Sequence, residues 1–361
     1  MPVISTWSNS PAPGANYNDF TNWNGSVPGF ADTAEFGATS GPNISLVDFL
    51  FVGQWLFSPG AGQYNFDIAG VADLTFTDRG ITMVSGSVHI IDFGELSFDN
   101  NSTAGAALID DFGSVDFSAS ARAGTATIHA FAGGGALTGI PGTSNVGFHN
   151  NATGDSAQFI ADAGSIVDFS QTAGPANDKH VTAGSIAGAG TYYLGSDQLT
   201  VGLNGLSTEV SGPVDDAGYY VAYTGGSLVK VGHGTLRLSH VGNTYSGGTI
   251  LEFGKLDVAA AGAAGTGAIT FAGRATLEIE NAALPGHHFG NKVDAFARHD
   301  IIDLAGLRFH AGATATYHKA NHHLTVHSGT VTDTLTLLSP HGHLFGTAND
   351  GHGGTDVLLF A

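Results

Sequence analysis

Between residues 225 and 280, apolar and polar positions alternate over four to six residues, break at Gly or Asn, and resume with no helical period in between. Gly225-Gly-Ser-Leu-Val-Lys-Val-Gly-His-Gly-Thr-Leu-Arg-Leu-Ser239 leads into Asn243-Thr-Tyr-Ser-Gly-Gly-Thr-Ile-Leu251, then Gly254-Lys-Leu-Asp-Val258 and two further Gly-bounded runs. Successive side chains of a strand point to opposite faces, so each run predicts a short strand buried on one side. The series predicts strands stacked one on another, a β-solenoid.

The same texture extends upstream. Phe98-Asp-Asn-Asn101 recurs as Phe148-His-Asn-Asn151, an offset of 50, and Gly113-Ser-Val-Asp-Phe-Ser118 recurs about 51 positions later as Gly164-Ser-Ile-Val-Asp-Phe-Ser170. A period near 50 holding several Gly-bounded strands fits two or three solenoid coils, with Phe stacked on Phe and Val on Ile inside and Asn satisfying its neighbours at the turns. Residues 1–40, with Trp7, Trp23 and a Pro-containing stretch, predict a cap over the first open rung. Residues 41–284 form the repeat region. Residues 285–361 change texture: the runs Ala313 to Tyr317, Leu324 to His327 and Val331 to Leu338 alternate and are joined by short polar turns, which predicts a β-rich, meander-like carboxy-terminal module.

Lys230 to Ser239 has the form Lys-x-Gly-x-Gly-Thr-Leu-x-Leu-Ser, and Asn243 to Thr249 reads Asn-Thr-Tyr-Ser-Gly-Gly-Thr. Together they resemble the autotransporter-associated β-strand repeat. That resemblance implies an all-β, right-handed parallel β-helix on or outside a bacterial cell, and it implies no substrate. The segment Ala295 to Leu307 with Leu335-Thr-Leu-Leu338 resembles a carboxy-terminal module of large secreted bacterial proteins, many of them exported by type I machinery.

Composition narrows the picture. Gly, at 54 residues, has about twice its usual share of roughly 7 %, with no collagen period, so the glycines punctuate strands. A hydrophobic content of 42 % with 23 Phe supports a long buried core. With 11 Lys+Arg against 31 Asp+Glu the formal net charge is −20, which repels phosphate backbones and anionic head groups and excludes nucleic acid and acidic membranes as expected partners. There is no Cys, hence no disulfide and no thiolate metal site. No stretch approaches 18 apolar residues, so no transmembrane segment is expected. The first ten residues carry no cleavable secretory signal, whereas Asp356-Val-Leu-Leu-Phe-Ala361 places an acidic residue before apolar ones, as uncleaved type I signals do. The expected location is extracellular or at the cell surface, reached through a carboxy-terminal signal.

Three kinds of candidate site stand out. Gly351-His-Gly-Gly-Thr-Asp-Val-Leu-Leu359 nearly matches the calcium-binding nonapeptide, with His352 in place of its second Gly, which makes Asp350 and Asp356 candidate Ca²⁺ ligands in half of a two-turn site. Of the 17 His, eleven lie at or beyond His287, and His323 and His327 share a strand face, which makes them candidate transition-metal ligands. Near pH 6.5 about half of the His are charged, which cuts the net charge to roughly −12 and favours self-association. Asp110-Asp111 and Asp215-Asp216 offer carboxylates for polysaccharide lyase or hydrolase chemistry, but no basic residue stands in a lyase motif and no triad spacing is present, so catalysis is not expected. The preferred expectation is an exported structural protein that self-assembles into a filament, matrix or surface layer. An adhesin for a host surface or polysaccharide is the alternative, and a polysaccharide-active enzyme comes third.

Overall fold

The structure, a computed structural model, describes residues 2–8, 14–38, 43–132, 144–219 and 222–360. The predicted cap boundary at 40/41 and Ala361, the last residue of the predicted export signal, lie outside them. The fold is 52 % strand against 3 % helix, and its stacked parallel strands form a β-solenoid of about 12 turns, as the alternation predicts. Two compact units make up the chain: Met1–Gly184 with Gly188–Tyr193, and Ser185–Ala187 with Leu194–Ala361. Among the described residues no helix is long and apolar enough to cross a membrane.

In the first unit the strands Asp73–Met83, Glu95–Phe98, Ser114–Phe117, Asn145–Asn150 and Ile166–Thr172 pair in parallel, each with the next. Their inward positions form two files: Leu74, Leu96, Val115, Val146 and Val167, then Phe76, Phe98, Phe117, Phe148 and Phe169. Successive rings of the second file stack at 5.1, 4.9, 4.9 and 4.8 Å, close to the spacing of adjacent strands, so the backbone ladder itself sets the aromatic contact. Each buried Phe contributes about 2–3 kcal/mol over its exposed state. Across the core, Ile90, Ile109, Ile128 and Phe159 face them in register.

The coils are unequal. Phe98 pairs with Phe117, and Phe117 with the much more distant Phe148, so the apparent period is the sum of one short coil and one long one. The short coil has its own signature at the corner between the sheets. Asp92-Phe93-Gly94 recurs as Asp111-Phe112-Gly113, and in each copy the Asp Oδ1 accepts from the Gly N–H at 2.8 Å. Gly113 is required by close approach, because a Cβ there would stand 2.1 Å from the Gly94 carbonyl oxygen. Outside the corner, Phe93, Phe112 and Phe131 stack at 4.9 and 4.5 Å.

The amino-terminal rung is closed by aromatics. Trp7 and Trp23 meet edge to face at 4.8 Å, Tyr17 packs on Trp23 at 4.9 Å, and the Trp23 Nε1 donates to the Tyr17 carbonyl at 2.7 Å. Ile4–Trp7 pairs in parallel with Thr33–Phe36 and, on its other side, antiparallel with the two-residue strand Trp23–Asn24. A short antiparallel edge of this kind is a poor template for adding a strand.

In the second unit the residues of the resembling segment build the turns. Lys230 is buried, and its Nζ donates to the carbonyls of Val231, Gly232 and Phe253 at 2.7, 3.0 and 3.2 Å, tying two successive coils together. Burial pushes its pKa down to about 8. Buried Asn243 accepts from the Val214 N–H at 3.0 Å and donates to the Ala263 carbonyl at 2.7 Å, so one side chain serves the coils on both sides of it. The end of the chain turns antiparallel. Thr314–His318, His323–Ser328 and Val331–Leu337 form a meander, while Thr355–Phe360 pairs with Leu344–Asn349 on one side and Ile301–Leu304 on the other.

Candidate functional site

The outward face of the second unit carries a row of charged side chains. Leu256, Leu277, Ile302 and Val357 point into the core, so their neighbours along each strand point the other way. Register then lines up one acid per strand: Asp257 faces Glu278, Glu278 faces Asp303, and Asp303 faces Asp356. Arg237 faces Asp257 at one end of this row, and Glu209 faces Arg237.

Two bases answer these acids. Arg237 contacts Asp257 Oδ2 and Glu280 Oε1 through Nη1, and its Nε lies 3.5 Å from Glu209. Lys255 Nζ contacts Glu278 Oε2. Asp257, Glu278 and Glu280 can each bring a carboxylate oxygen within 4.8 Å of the other two, the one such group of potential metal ligands among the described residues. Asp257 Oδ1 and Asp303 Oδ1 are buried and have no hydrogen-bond partner. Asp303 is pushed up to about 6, first by burial and then by Asp356, Glu278 and Asp350. Burial, followed by Asp350, also raises Asp356.

Further along the same strands the face becomes basic and aromatic. Phe253, Arg274, Arg298, His299, Leu358 and Phe360 line an open cleft of about 630 Å³. Neither arginine is paired with an acid among the described residues. His299 adopts φ +82°, a left-handed backbone that costs a non-glycine residue about 1–3 kcal/mol and is over-represented at functional positions.

The predicted site residues divide. Asp356 stands in the carboxylate row. Asp350 spends its Oδ1 on the N–H groups of His352, Gly353 and Gly354 at 2.7, 2.7 and 2.9 Å, so the Gly-rich loop is closed by its own aspartate. His323 and His327 lie on the outward side of one strand, about 13 Å apart at the usual rise per residue, too far to share an ion. Their ring nitrogens bond Asn321 at 3.2 Å and Thr332 at 2.9 Å. Asp110 and Asp111 point to opposite faces: Asp110 meets His89 at 2.7 Å, while Asp111 is fully buried. Asp215 accepts from Thr244 at 2.7 Å, and Asp216 accepts from Gly225 and Ser246 at a turn. Sequence reasoning missed Asp257, Glu278, Glu280 and Asp303. Each occupies an outward position of an alternating run, but only cross-strand register reveals that they adjoin.

The first unit exposes an apolar cluster at its amino-terminal end. Ile4, Phe30 and Phe49 are 64, 70 and 73 % exposed, and Val3 and Phe51 are about half exposed. The Val3 N–H donates to the Asp32 carboxylate Oδ1 at 2.8 Å, which sets Val3 and Ile4 beside the loop holding Phe30, and that loop lies against Gly53, two residues beyond Phe51, whose added Cβ would stand 2.6 Å from the Ala31 carbonyl carbon. Comparisons with protein-family models, curated proteins and solved structures find no match.

Proposed function

We propose that this chain is an extracellular structural protein of a bacterial surface that works by associating with further copies of itself. The cluster of Val3, Ile4, Phe30, Phe49 and Phe51 carries the reading. The chain has a net charge of −20 and exposes apolar side chains at several points, but here five of them, three more than 60 % exposed, come from neighbouring segments of one end, which supports an interaction surface there. Removing each exposed Phe from water contributes about 2 kcal/mol to association. Cluster against cluster gives a closed two-fold pair, and growth into a filament or layer then requires a second, different contact. The extracellular placement rests on the resemblance carried by Lys230 to Thr249.

Sedimentation velocity tests the proposal. The unmodified protein should associate with rising concentration, and the exposed-site double variant Phe30→Ser/Phe49→Ser should stay monomeric with an unchanged far-UV circular dichroism spectrum. Equal association in both proteins, or monomers in both at the highest soluble concentration, overturns it.

A second reading, an adhesin holding an acidic surface polysaccharide, is favoured by the cleft. Arg274 and Arg298 supply planar donors for carboxylates, and Phe253 and Phe360 supply apolar ring surface for a sugar. Binding of a polyuronate that Arg274→Ala/Arg298→Ala abolishes would establish that reading in place of the first.

A further inference from the structure

We propose that the basic cleft of the second unit binds a carboxylate of a uronate-type saccharide between Arg274 and Arg298, with Asp300 as the residue that positions both arginines. The inference rests on the reading of this cleft as a holder of acidic saccharide, and it narrows the ligand to one recognised group. Arg122, Arg237 and Lys255 each meet a carboxylate, whereas Arg274 and Arg298 line the cleft, exposed, and meet none among the described residues. The one acid in the cleft lining does not supply it. Asp300 is 2 % exposed and its oxygens accept from backbone instead, Oδ2 from the Ala297 N–H at 2.9 Å and Oδ1 from the Ala275 N–H at 3.4 Å.

Those two N–H groups belong to the residue before Arg298 and the residue after Arg274, so one buried carboxylate ties together the backbone segments that carry the two arginines. The Asp300 N–H returns to the Ala297 carbonyl at 3.2 Å, which closes a turn with Arg298 and His299 at its tip. On the neighbouring strand the register shifts between Leu251 and Phe253, a bulge, and beyond it Phe253 stands directly opposite Arg274. Bulges are over-represented beside active sites, where they re-aim a side chain. This one is held by close approach, because a Cβ on Gly273 would stand 2.1 Å from the Glu252 carbonyl oxygen. Phe253 and Phe360, 41 and 49 % exposed, add apolar ring surface to the cleft. Planar guanidiniums match a planar carboxylate, and exposed rings match the C–H face of a sugar. The net charge of −20 repels densely sulfated or phosphorylated chains more than a ligand with one negative charge per sugar.

Calorimetric titration of the full chain with a galacturonate trimer, a neutral glucose trimer and a sulfated trisaccharide tests the proposal. The galacturonate trimer should bind most tightly, with affinity lowered at least about tenfold in Arg274→Ala and in Arg298→Ala, both at exposed positions. Asp300→Ala should lower it to a similar extent, and Asp300→Asn, which keeps one acceptor oxygen, should recover part of the loss, each variant first shown to be folded by circular dichroism. If Asp300→Ala does not fold, an affinity of Asp300→Asn between those of the unmodified protein and the arginine variants carries the comparison. Equal affinity for the acidic and neutral trimers, tighter binding of the sulfated one, or unchanged affinity in the arginine variants overturns the proposal. Unchanged affinity in folded Asp300 variants overturns the positioning role. A long polyuronate that binds where the trimer does not leaves the broader adhesin reading standing and sinks this one, whereas binding of neither sinks both.

Discussion

Asp92 and Asp111 face each other on successive coils, fully buried, and replacing Asp92 by Asn should change the pH dependence of stability more than its value in acid. Each aspartate spends one oxygen on a Gly N–H, and each has a second oxygen with no hydrogen-bond partner. Burial, reinforced by Glu95, Asp73 and Asp116, pushes Asp92 from 3.8 up to about 8, while burial and then Asp92 raise Asp111. An acid whose folded pKa is raised binds its proton more tightly when folded. The resulting stabilisation is complete below the unfolded pKa near 4, falls as pH rises, and is gone above about 8. One extra proton held by the folded chain gives a slope of about 1.4 kcal/mol per pH unit within that window. Asn keeps the acceptor for Gly94 and the side-chain volume but cannot ionise. Urea unfolding followed by circular dichroism at pH 5, 6, 7 and 8 should show unmodified protein losing stability more steeply than Asp92→Asn, by about 1.4 kcal/mol per pH unit, with Asp111 still titrating in both. Parallel profiles would refute the argument.

Two further outcomes follow from packing. Lys230→Met strips three carbonyls of their shared donor inside the second unit and should cost about 2–4 kcal/mol, measurable as a lowered thermal midpoint. Gly113→Ala drives a Cβ to 2.1 Å from a backbone oxygen and should cost about 3 kcal/mol, whereas Gly164→Ala, with nothing within 4 Å of the new Cβ but φ at +97°, should cost only the roughly 1–2 kcal/mol of backbone strain; equal losses in the two would sink the close-approach argument.

Alternation and Gly punctuation made the strand stack legible from residues alone, because a period of two is a local property. Coil length was not legible in the same way. The short Asp-Phe-Gly repeat is hidden because the next coil puts Ala130 where Asp92 and Asp111 stand and because Phe148 follows Phe117 at a greater sequence separation than Phe117 follows Phe98, so only the sum of the two spacings surfaced as a period. The candidate site shows the same limit. Asp356 was marked by the Gly-rich run before it, but its neighbours Asp303, Glu278 and Asp257 come from three other strands. Alternation says that each faces outward, yet nothing within any single run says which coil lies beside which. The spacing of His323 and His327 shows the converse, since sharing a strand face is local but lying within reach of one ion is not.

The short coil has a consequence for how such a chain changes over generations. Phe117 stacks on Phe98 below and Phe148 above with nearly the same geometry, and Asp111-Phe112-Gly113 repeats the corner of the coil beneath it. An in-frame loss or gain of that coil therefore leaves every surviving rung with a chemically equivalent neighbour. Recombination between the two copies would alter the number of rungs while sparing the cap, the Lys230 turns and the carboxylate row, so the molecule can vary in length by whole coils without inventing a new interface.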